Sequence, residues 1–172
     1  KDMRRQAKTI NFGILYGQGP HGLAQTAEIS YEEARKFIDE YFKAYKNIKK
    51  YVDETIAGAK EKGYVETLFG RKRYIPEINA TNAMIRKSAE RMAVNTPIQG
   101  TEADMIKKAM IAVDELLRKE YPGRISMLLQ VHDELVLEVL DAELPLIRSE
   151  LPRLMTQVAR LKVPLVVEVG VG

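Results

Sequence analysis

The sequence has no cysteine, no long apolar run and little net charge, and each of these absences excludes a class of protein. Without cysteine there is no disulfide framework, no thiolate metal site and no cysteine nucleophile. The apolar runs fall well short of the roughly 20 residues that a membrane-spanning helix needs, and the first residues lack an apolar signal segment. Because the net charge is only +3, attraction of phosphates would have to come from local stripes of basic residues. With 45% hydrophobic and 30% charged residues, the composition indicates a globular protein.

Two acidic residues lie next to each other in a short polar segment, residues 130–134 (QVHDE). Apolar runs flank this segment at residues 125–129 and 135–139, and runs of this length predict strands. We therefore expect a hairpin that holds Asp133 and Glu134 where two strands meet. Carboxylates on rigid elements suit Mg²⁺, which prefers oxygen ligands. The alternative is a polar turn that simply faces water.

The first segment carries Arg4, Lys8, Phe12 and Tyr16 at successive steps of four residues. On an α-helix these side chains form one slowly winding face, because each step drifts by only about 40°. Two cations followed by two rings suit a nucleoside triphosphate, since cations neutralise phosphate oxygens and rings offer flat faces to a base. The alternative is an amphipathic helix with a solvated basic end. The opposite face, which we expect to be its core side, consists of Ala7, Ile10, Ile14 and Leu15.

Residues 17–22 (GQGPHG) spell G-x-G-x-x-G, but we do not interpret them as a dinucleotide-binding loop. Such a loop requires a strand before it and a helix directly after it, whereas a helical pattern precedes this one. We predict a helix terminator and turn, with Pro20 inside the loop and His21 as a loop residue. Downstream, Ser30 and Glu33 have the spacing of a capping box at the start of the next helix.

A second hairpin is predicted in the middle of the chain. Residues 64–69 and 71–75 are strand-like and flank Gly70, which is a typical turn residue. The returning strand begins with a basic arm, Arg71–Arg73. This arm is either a soluble turn or a contact to a phosphate backbone.

Helical patterns dominate the chain after the second hairpin. We predict helices over residues 79–95 and 101–120, separated by a break at Pro97. After the acidic hairpin, residues 141–161 predict a helix that two prolines constrain, and residues 163–169 predict a closing strand.

Three polar residues recur at steps of four across the predicted break, namely Arg91, Asn95 and Gln99. Long hydrogen-bonding side chains in a row can reach minor-groove base edges, where every base pair presents acceptors. By itself the row does not distinguish a DNA contact from a solvated helix face.

Taken together, these segments resemble the family-A DNA polymerases, the bacterial DNA polymerase I type. Residues 4–17 match the pattern R-x-x-x-K-x-x-x-F-x-x-x-Y-G of that family's fingers helix at every position. Residues 130–134 resemble its palm motif. Residues 63–68 and 95–101 resemble further segments of that family and occur in the same order along the chain. The resemblance covers essentially the whole chain.

The resemblance implies roles for the residues of the first segment. Arg4 and Lys8 would bind the triphosphate of an incoming dNTP, and Lys8 would also take part in catalysis. Phe12 would pack against the base and sugar, and Tyr16 would stack at the insertion site beside the templating base.

The resemblance also implies roles for the two acidic residues and for the polar row. Asp133 and Glu134 would be catalytic residues and metal ligands. The residues implied to contact DNA at the primer terminus are Arg91, Asn95, Gln99, Gln130 and His132. Arg71 and Arg73 of the basic arm are further candidate DNA contacts.

The implied activity is template-directed DNA synthesis with two Mg²⁺ ions, or Mn²⁺ in their place, on primer-template DNA and dNTPs. We expect a cytoplasmic protein at the bacterial nucleoid that does not involve a membrane. The family's second catalytic aspartate lies in a D-Y-S-x-x-E motif that is absent from this sequence. We therefore expect a C-terminal piece of a polymerase, inactive alone, with the thumb and first palm motif supplied in cis or by a separate chain.

The implied fold is α+β and forms part of the right-hand polymerase fold. Residues 1–75 would be fingers-like helices with the basic hairpin, and residues 76–172 would be long helices with a small antiparallel palm sheet. The main alternative is a non-catalytic module that binds primer-template DNA or nucleotide and needs a partner chain for activity. A purely structural domain with a basic face is a third interpretation, but it leaves the row from Arg4 to Tyr16 unexplained.

Overall fold

A computed structural model describes residues 2–172, without the side chains of residues 2, 3 and 6. The α-helices are α1 (Asp2–Leu15), α2 (Pro20–Ala27), α3 (Tyr31–Ala44), α4 (Lys46–Lys62), α5 (Ala83–Glu120) and α6 (Leu144–Thr156). The strands are β1 (Tyr64–Glu66), β2 (Lys72–Tyr74), β3 (Ile125–Val131) and β4 (Glu134–Val139), and 3₁₀ turns cover Pro76–Asn79 and Asp141–Glu143. Within residues 2–172 the strands form two antiparallel pairs, β1–β2 and β3–β4. This mostly helical α+β fold with a small sheet at the acidic hairpin confirms the predicted fold class.

The chain divides into two compact units, Lys1–Gly100 and Thr101–Gly172. The predicted division into fingers-like residues 1–75 and palm-like residues 76–172 concerns polymerase subdomains rather than compact units, and it stays a prediction. The first unit has a core that buries side chains from α4, β1, the 3₁₀ turn and α5. Its members are Ala59, Val65, Ile75, Ile78, Ala89 and Ala93. Residues beyond 75 therefore pack with the helix and hairpin that precede them.

The turn after α1 was predicted correctly, but its neighbours differ from the prediction. Pro20 is the first residue of α2 rather than a loop residue, a position where its missing N–H has no helical partner to lose. His21 accordingly lies in α2, where its ring contacts Tyr31 with centroids 4.5 Å apart. The capping box at α3 is present, since the Ser30 hydroxyl accepts from the Glu33 N–H and the Glu33 carboxylate accepts from the Ser30 N–H.

The helix α5 runs without a break from Ala83 to Glu120, although Pro97 lies inside it. The prediction of two helices with a break at Pro97 was therefore wrong. A proline in a helix interior costs about 3 kcal/mol, but buried residues on both sides of Pro97, such as Val94 and Ala109, favour a continuous helix. Although α5 is long, neither it nor any other described helix is apolar enough to cross a membrane.

The second unit buries a cluster formed by the end of α5, β3 and α6. Its members are Val113, Leu117, Tyr121, Ile125, Ile147 and Leu151. The helix α6 is shorter than the predicted helix over residues 141–161, and Pro152 lies inside it. Residues 163–169 do not form the predicted strand. A strand needs an edge to pair with, and neither sheet of the described residues pairs with this segment.

Candidate functional site

The face of α1 that was predicted to bind a nucleotide consists of side chains that contact one another. The rings of Phe12 and Tyr16 stack with centroids 5.8 Å apart and planes inclined by 22°. The Lys8 ammonium lies 5.7 Å from the centroid of the Phe12 ring, which is within cation–π range. Arg4 is exposed one turn earlier on the same helix. Phe12 keeps 39% of its surface exposed, so the row from Lys8 to Tyr16 includes a ring that a ligand can reach.

The opposite face of α1 holds the helix in place. Ile14 is buried in a cluster with residues of α2 and α3, and Ile10 packs against that cluster. Ala7 is exposed and Leu15 is half-buried, so the core side is narrower than predicted.

A hydrogen bond joins α1 to α3 beside Phe12. The hydroxyl of Tyr41 donates to Oδ1 of Asn11 at 2.8 Å. Burial raises the pKa of Tyr41, so its hydroxyl stays protonated and available as a donor at neutral pH. This bond fixes the turn of α1 that carries the first ring of the row.

Gln18, for which the sequence predicted no role, braces the turn after α1. Its backbone N–H donates to the Gly13 carbonyl, and its side-chain Nε2 donates to Oγ1 of Thr26 in α2, both at 2.8 Å. A Cβ on Gly13 would lie 1.9 Å from Gln18 Oε1, and a Cβ on Gly22 would lie 2.8 Å from Gln18 Cγ. The Gln18 side chain thus fills the space that two glycines leave open. The sequence signal that could have pointed to this brace is the pair of glycines, five residues before and four residues after Gln18.

The polar row lies on successive turns of the continuous helix α5. Arg91 and Gln99 are exposed, and Asn95 is half-buried. Arg91 packs beside Gly17, since a Cβ on Gly17 would lie 2.9 Å from Arg91 Cγ. Among the described residues Asn95 Oδ1 accepts no hydrogen bond, although it is buried. Buried polar atoms are normally paired in native structures, so this acceptor is an exception within the part of the chain that the structure describes.

The three cations of the basic arm have different environments. Nη2 of Arg71 donates to the carbonyl of Gly100 in α5 at 3.0 Å. The Lys72 ammonium lies 4.5 Å from the centroid of the Tyr64 ring, and hydrogen bonding to Tyr64 raises the pKa of Lys72. Arg73 is exposed on β2. Of the three cations, Arg73 is therefore the best placed to contact a phosphate.

The acidic segment forms the predicted hairpin. Val131 of β3 pairs with Glu134 of β4, which leaves His132 and Asp133 as a two-residue turn. His132 has a φ of 54°, a left-handed conformation that is uncommon outside glycine and that recurs at functional sites. The side-chain amide of Gln130 donates to the His132 carbonyl and so holds the turn from its own strand. Both carboxylates at the turn are exposed.

The donor set at this turn fits a magnesium ion. Asp133 and Glu134 supply two adjacent carboxylates, and Mg²⁺ is usually held by one or two protein carboxylates together with substrate phosphates and water. The part of the chain that the structure describes contains no group of three or more acidic or histidine side chains placed to hold a metal. The residues present therefore suit an ion that shares its other ligands with a bound substrate.

Comparison with known proteins identifies the family. The sequence model of DNA polymerase family A matches residues 1–172, so the chain belongs to this family, as the motifs indicated. It is 48% identical to DNA polymerase I of Bacillus caldotenax over 171 residues, and 49% identical to that of Pseudomonas aeruginosa over 171 residues. It is also 48% identical to the thermostable DNA polymerase I of Thermus aquaticus over 170 residues. These alignments cover 99% of this chain and 19 to 20% of each relative, so the chain spans about a fifth of their length.

A solved polymerase structure has the same fold. It is the POL domain of Pol1 from M. smegmatis in complex with DNA primer-template and dNTP. The match has a TM-score of 0.90 at 39% identity and covers 96% of this chain and 29% of that chain. The α+β fold of this chain is therefore that of part of a polymerase domain.

Proposed function

We propose that this chain supplies nucleotide-binding and primer-template-binding elements of a template-directed DNA polymerase that works at the bacterial nucleoid. One observation carries the proposal. A family-A chain presents a row of one cation and two stacked rings, which runs along α1 into the residue after it, and it also presents two carboxylates at a strained hairpin turn. Cations and rings suit a dNTP, and carboxylates suit the divalent ion that accompanies it. The ligands named for the M. smegmatis structure, DNA primer-template and dNTP, support the same ligand classes here.

In the first unit, the row on α1 binds the incoming dNTP. Arg4 and Lys8 neutralise triphosphate oxygens, and this matters most as negative charge moves onto the leaving pyrophosphate. The Phe12 ring packs against the sugar and base, and Tyr16 extends the aromatic surface toward the insertion site. Because Lys8 and Phe12 are both exposed, neither needs a large rearrangement to meet a ligand.

The reaction is a nucleotidyl transfer. The primer 3′-oxygen attacks the α-phosphorus of the dNTP, the bond from that phosphorus to the bridging oxygen of the β-phosphate breaks, and pyrophosphate leaves. In the second unit, Asp133 and Glu134 are the residues that would hold Mg²⁺. When bound, the ion would supply Lewis acidity to the phosphoryl oxygens and to the primer 3′-hydroxyl, whose proton would pass to solvent. The family's other metal-binding aspartate comes from polymerase sequence outside this chain, in cis or on a separate chain.

The polar row on α5 and the hairpin turn contact the primer-template. Hydrogen bonds from Arg91, Asn95 and Gln99 to minor-groove acceptors test base pairing without reading sequence, because every base pair presents such acceptors. Gln130 and His132 add contacts of the same kind from the hairpin. Arg73 contacts the phosphate backbone, which fixes position rather than sequence.

Primer extension tests this function. The chain is assayed with Mg²⁺, dNTPs and a labelled primer-template, first alone and then mixed with the part of B. caldotenax DNA polymerase I that precedes the matched segment. We expect extension only in the mixture. Asp133→Ala should abolish it, whereas Asp141→Ala, which removes an exposed aspartate just after β4, should not. Extension by the chain alone would overturn the requirement for an outside aspartate.

A non-catalytic binding module is the second candidate function. It is favoured by the presence of only two adjacent carboxylates at the turn, without a third metal-binding side chain among the described residues. Under this alternative the chain binds primer-template or dNTP but supports no extension in either assay. Binding without extension, in the mixture as well as alone, would therefore replace the polymerase proposal with this one.

A further inference from the structure

The loop of the basic hairpin docks onto α5 at a glycine. Nη2 of Arg71 donates to the carbonyl oxygen of Gly100 at 3.0 Å. A Cβ on Gly100 would lie 2.7 Å from Cγ2 of Thr67 and 3.3 Å from Nη2 of Arg71. The hairpin loop, residues 67–71, therefore occupies the space that a side chain at position 100 would need.

The hairpin loop is internally hydrogen-bonded, which fixes the backbone from which the Arg71 side chain extends. Thr67 is buried, and its Oγ1 accepts from the backbone N–H of Arg71 at 3.1 Å and of Phe69 at 3.3 Å. The Thr67 N–H in turn donates to the Arg71 carbonyl at 3.0 Å. A planar guanidinium on such a loop is a geometrically defined donor, unlike a flexible ammonium.

Gly100 lies in the part of α5 that Pro97 weakens. Proline has no N–H to donate to the carbonyl four residues earlier, so this turn lacks one of its helical hydrogen bonds. Two side chains from outside the helix bind backbone carbonyls on either side of the proline. They are Tyr51 of α4, whose hydroxyl donates to the Val94 carbonyl at 2.9 Å, and Arg71, which binds Gly100. The braced segment carries Asn95 and Gln99.

We infer that Arg71 is a positioning residue that sets the place of Gln99 through Gly100, and that it does not act as a contact to the DNA phosphates. The inference rests on the proposed primer-template binding and deepens it. It changes the expectation from the sequence, which grouped Arg71 with Arg73 as candidate DNA contacts. On this view, only Arg73 of the two contributes its charge to the DNA backbone.

The salt dependence of DNA binding separates the two roles. Binding of a fluorescent primer-template to the full chain is followed by anisotropy from about 50 to about 300 mM KCl, because each phosphate contact adds about 0.9 to the slope of log Kd against log salt. Arg71→Ala should weaken binding by about 3- to 10-fold with the slope unchanged. Arg73→Ala, the matched control on the same hairpin, should lower the slope by about 0.9.

Two further variants separate position from charge. Gly100→Ala removes no charge, but its Cβ meets Thr67, so it should reproduce the loss seen for Arg71→Ala. Arg71→Lys keeps the charge but loses the planar donor, so it should also weaken binding. In a Gln99→Ala background, Arg71→Ala should have no further effect, which a general loss of stability would not explain. Far-UV circular dichroism identifies any variant that does not fold, and Arg71→Lys then replaces Arg71→Ala.

The outcomes distinguish this inference from the proposed function. A lowered slope for Arg71→Ala, or wild-type binding by both Arg71→Lys and Gly100→Ala, would overturn the inference and leave the proposed function standing. If the wild-type chain binds no primer-template even at the lowest salt, primer-template binding by this chain fails, and the inference fails with it.

Discussion

Gly17, at the end of α1, lies against the side chain of Arg91 in α5, because a Cβ on Gly17 would be 2.9 Å from Arg91 Cγ and 3.6 Å from its Cδ. Gly17 also has a φ of 82°, which is readily adopted by glycine and rarely by other residues. Backbone conformation and close approach thus both require glycine here. The contact lies where the aromatic row of α1 ends, so the positions of Tyr16 and Arg91 depend on the same small residue.

Gly17→Ala should therefore destabilise the first unit. A left-handed residue with a Cβ costs about 1–2 kcal/mol, and we expect a loss of this size in the free energy of unfolding. Urea denaturation followed by circular dichroism measures it. Displacement of Arg91 should also weaken primer-template binding in the anisotropy assay.

Gly58→Ala is the matched control for this prediction. Gly58 lies inside α4, and a Cβ there would meet nothing within 4 Å. The same substitution should therefore raise the free energy of unfolding by about 0.5–1 kcal/mol, because alanine is the better helix former. Equal effects at the two positions would contradict the role assigned to Gly17.

The brace formed by Gln18 and Thr26 is tested by a double-mutant cycle. Gln18→Met keeps the length of the side chain but removes the amide, and Thr26→Val removes the hydroxyl that accepts from it. Because the hydrogen bond is exposed, we expect a coupling free energy of only about 0.5–1 kcal/mol from chemical denaturation of the four proteins. A coupling near zero would mean that the two residues stabilise the turn independently or not at all.

Features that depend on one element or on neighbouring residues were predictable from the sequence. Phe12 and Tyr16 stack because a step of four residues returns to the same helix face. The two-residue turn at His132 follows from the apolar runs on either side of it. The irregularity inside β3 was not predictable, since Met127 and Leu129 pair with successive residues of β4 and one extra residue does not disturb the apolar run.

Features that depend on distant parts of the chain were not predictable. Arg71 binds a carbonyl 29 residues away, and its basic neighbours gave no sign of this. Pro97 indicated a break because local propensity takes no account of the buried residues on both sides of it. Residues 164–169 alternate exposed and half-buried positions as a strand would, but pairing requires an edge that the described strands do not offer.

Asn95→Leu tests whether the Asn95 side chain, whose Nδ2 is the donor that minor-groove acceptors require, serves binding rather than folding. Removing a buried polar atom that has no partner avoids its desolvation penalty, so the free energy of unfolding should stay constant or rise by about 1 kcal/mol. Primer-template affinity should nevertheless fall. Gln99→Ala, at an exposed position one turn later, should weaken binding while changing stability by less than about 0.5 kcal/mol. A destabilised Asn95→Leu protein with normal DNA affinity would assign Asn95 to the fold instead.

The capping box at α3 predicts a specific response to acid. The Ser30 hydroxyl donates to the Glu33 carboxylate at 2.7 Å, and the Ser30 N–H donates to it at 3.0 Å; both bonds hold the pKa of Glu33 below its ordinary value of 4.5. Because the pKa is lower in the folded state, the carboxylate contributes stability that is fully present above the unfolded value. That contribution is lost as the pH falls through the folded value.

Glu33→Gln isolates this contribution from those of the other carboxylates. Glutamine can accept the same cap hydrogen bonds but does not titrate in this range. Unfolding free energies are measured for both proteins from about pH 6 to about pH 3, and the difference between wild type and variant reports on Glu33 alone. We expect this difference to favour the wild type most above pH 4.5 and to shrink steadily as the pH falls below it. A difference that does not change with pH would mean that the ionised carboxylate caps α3 no better than a neutral amide.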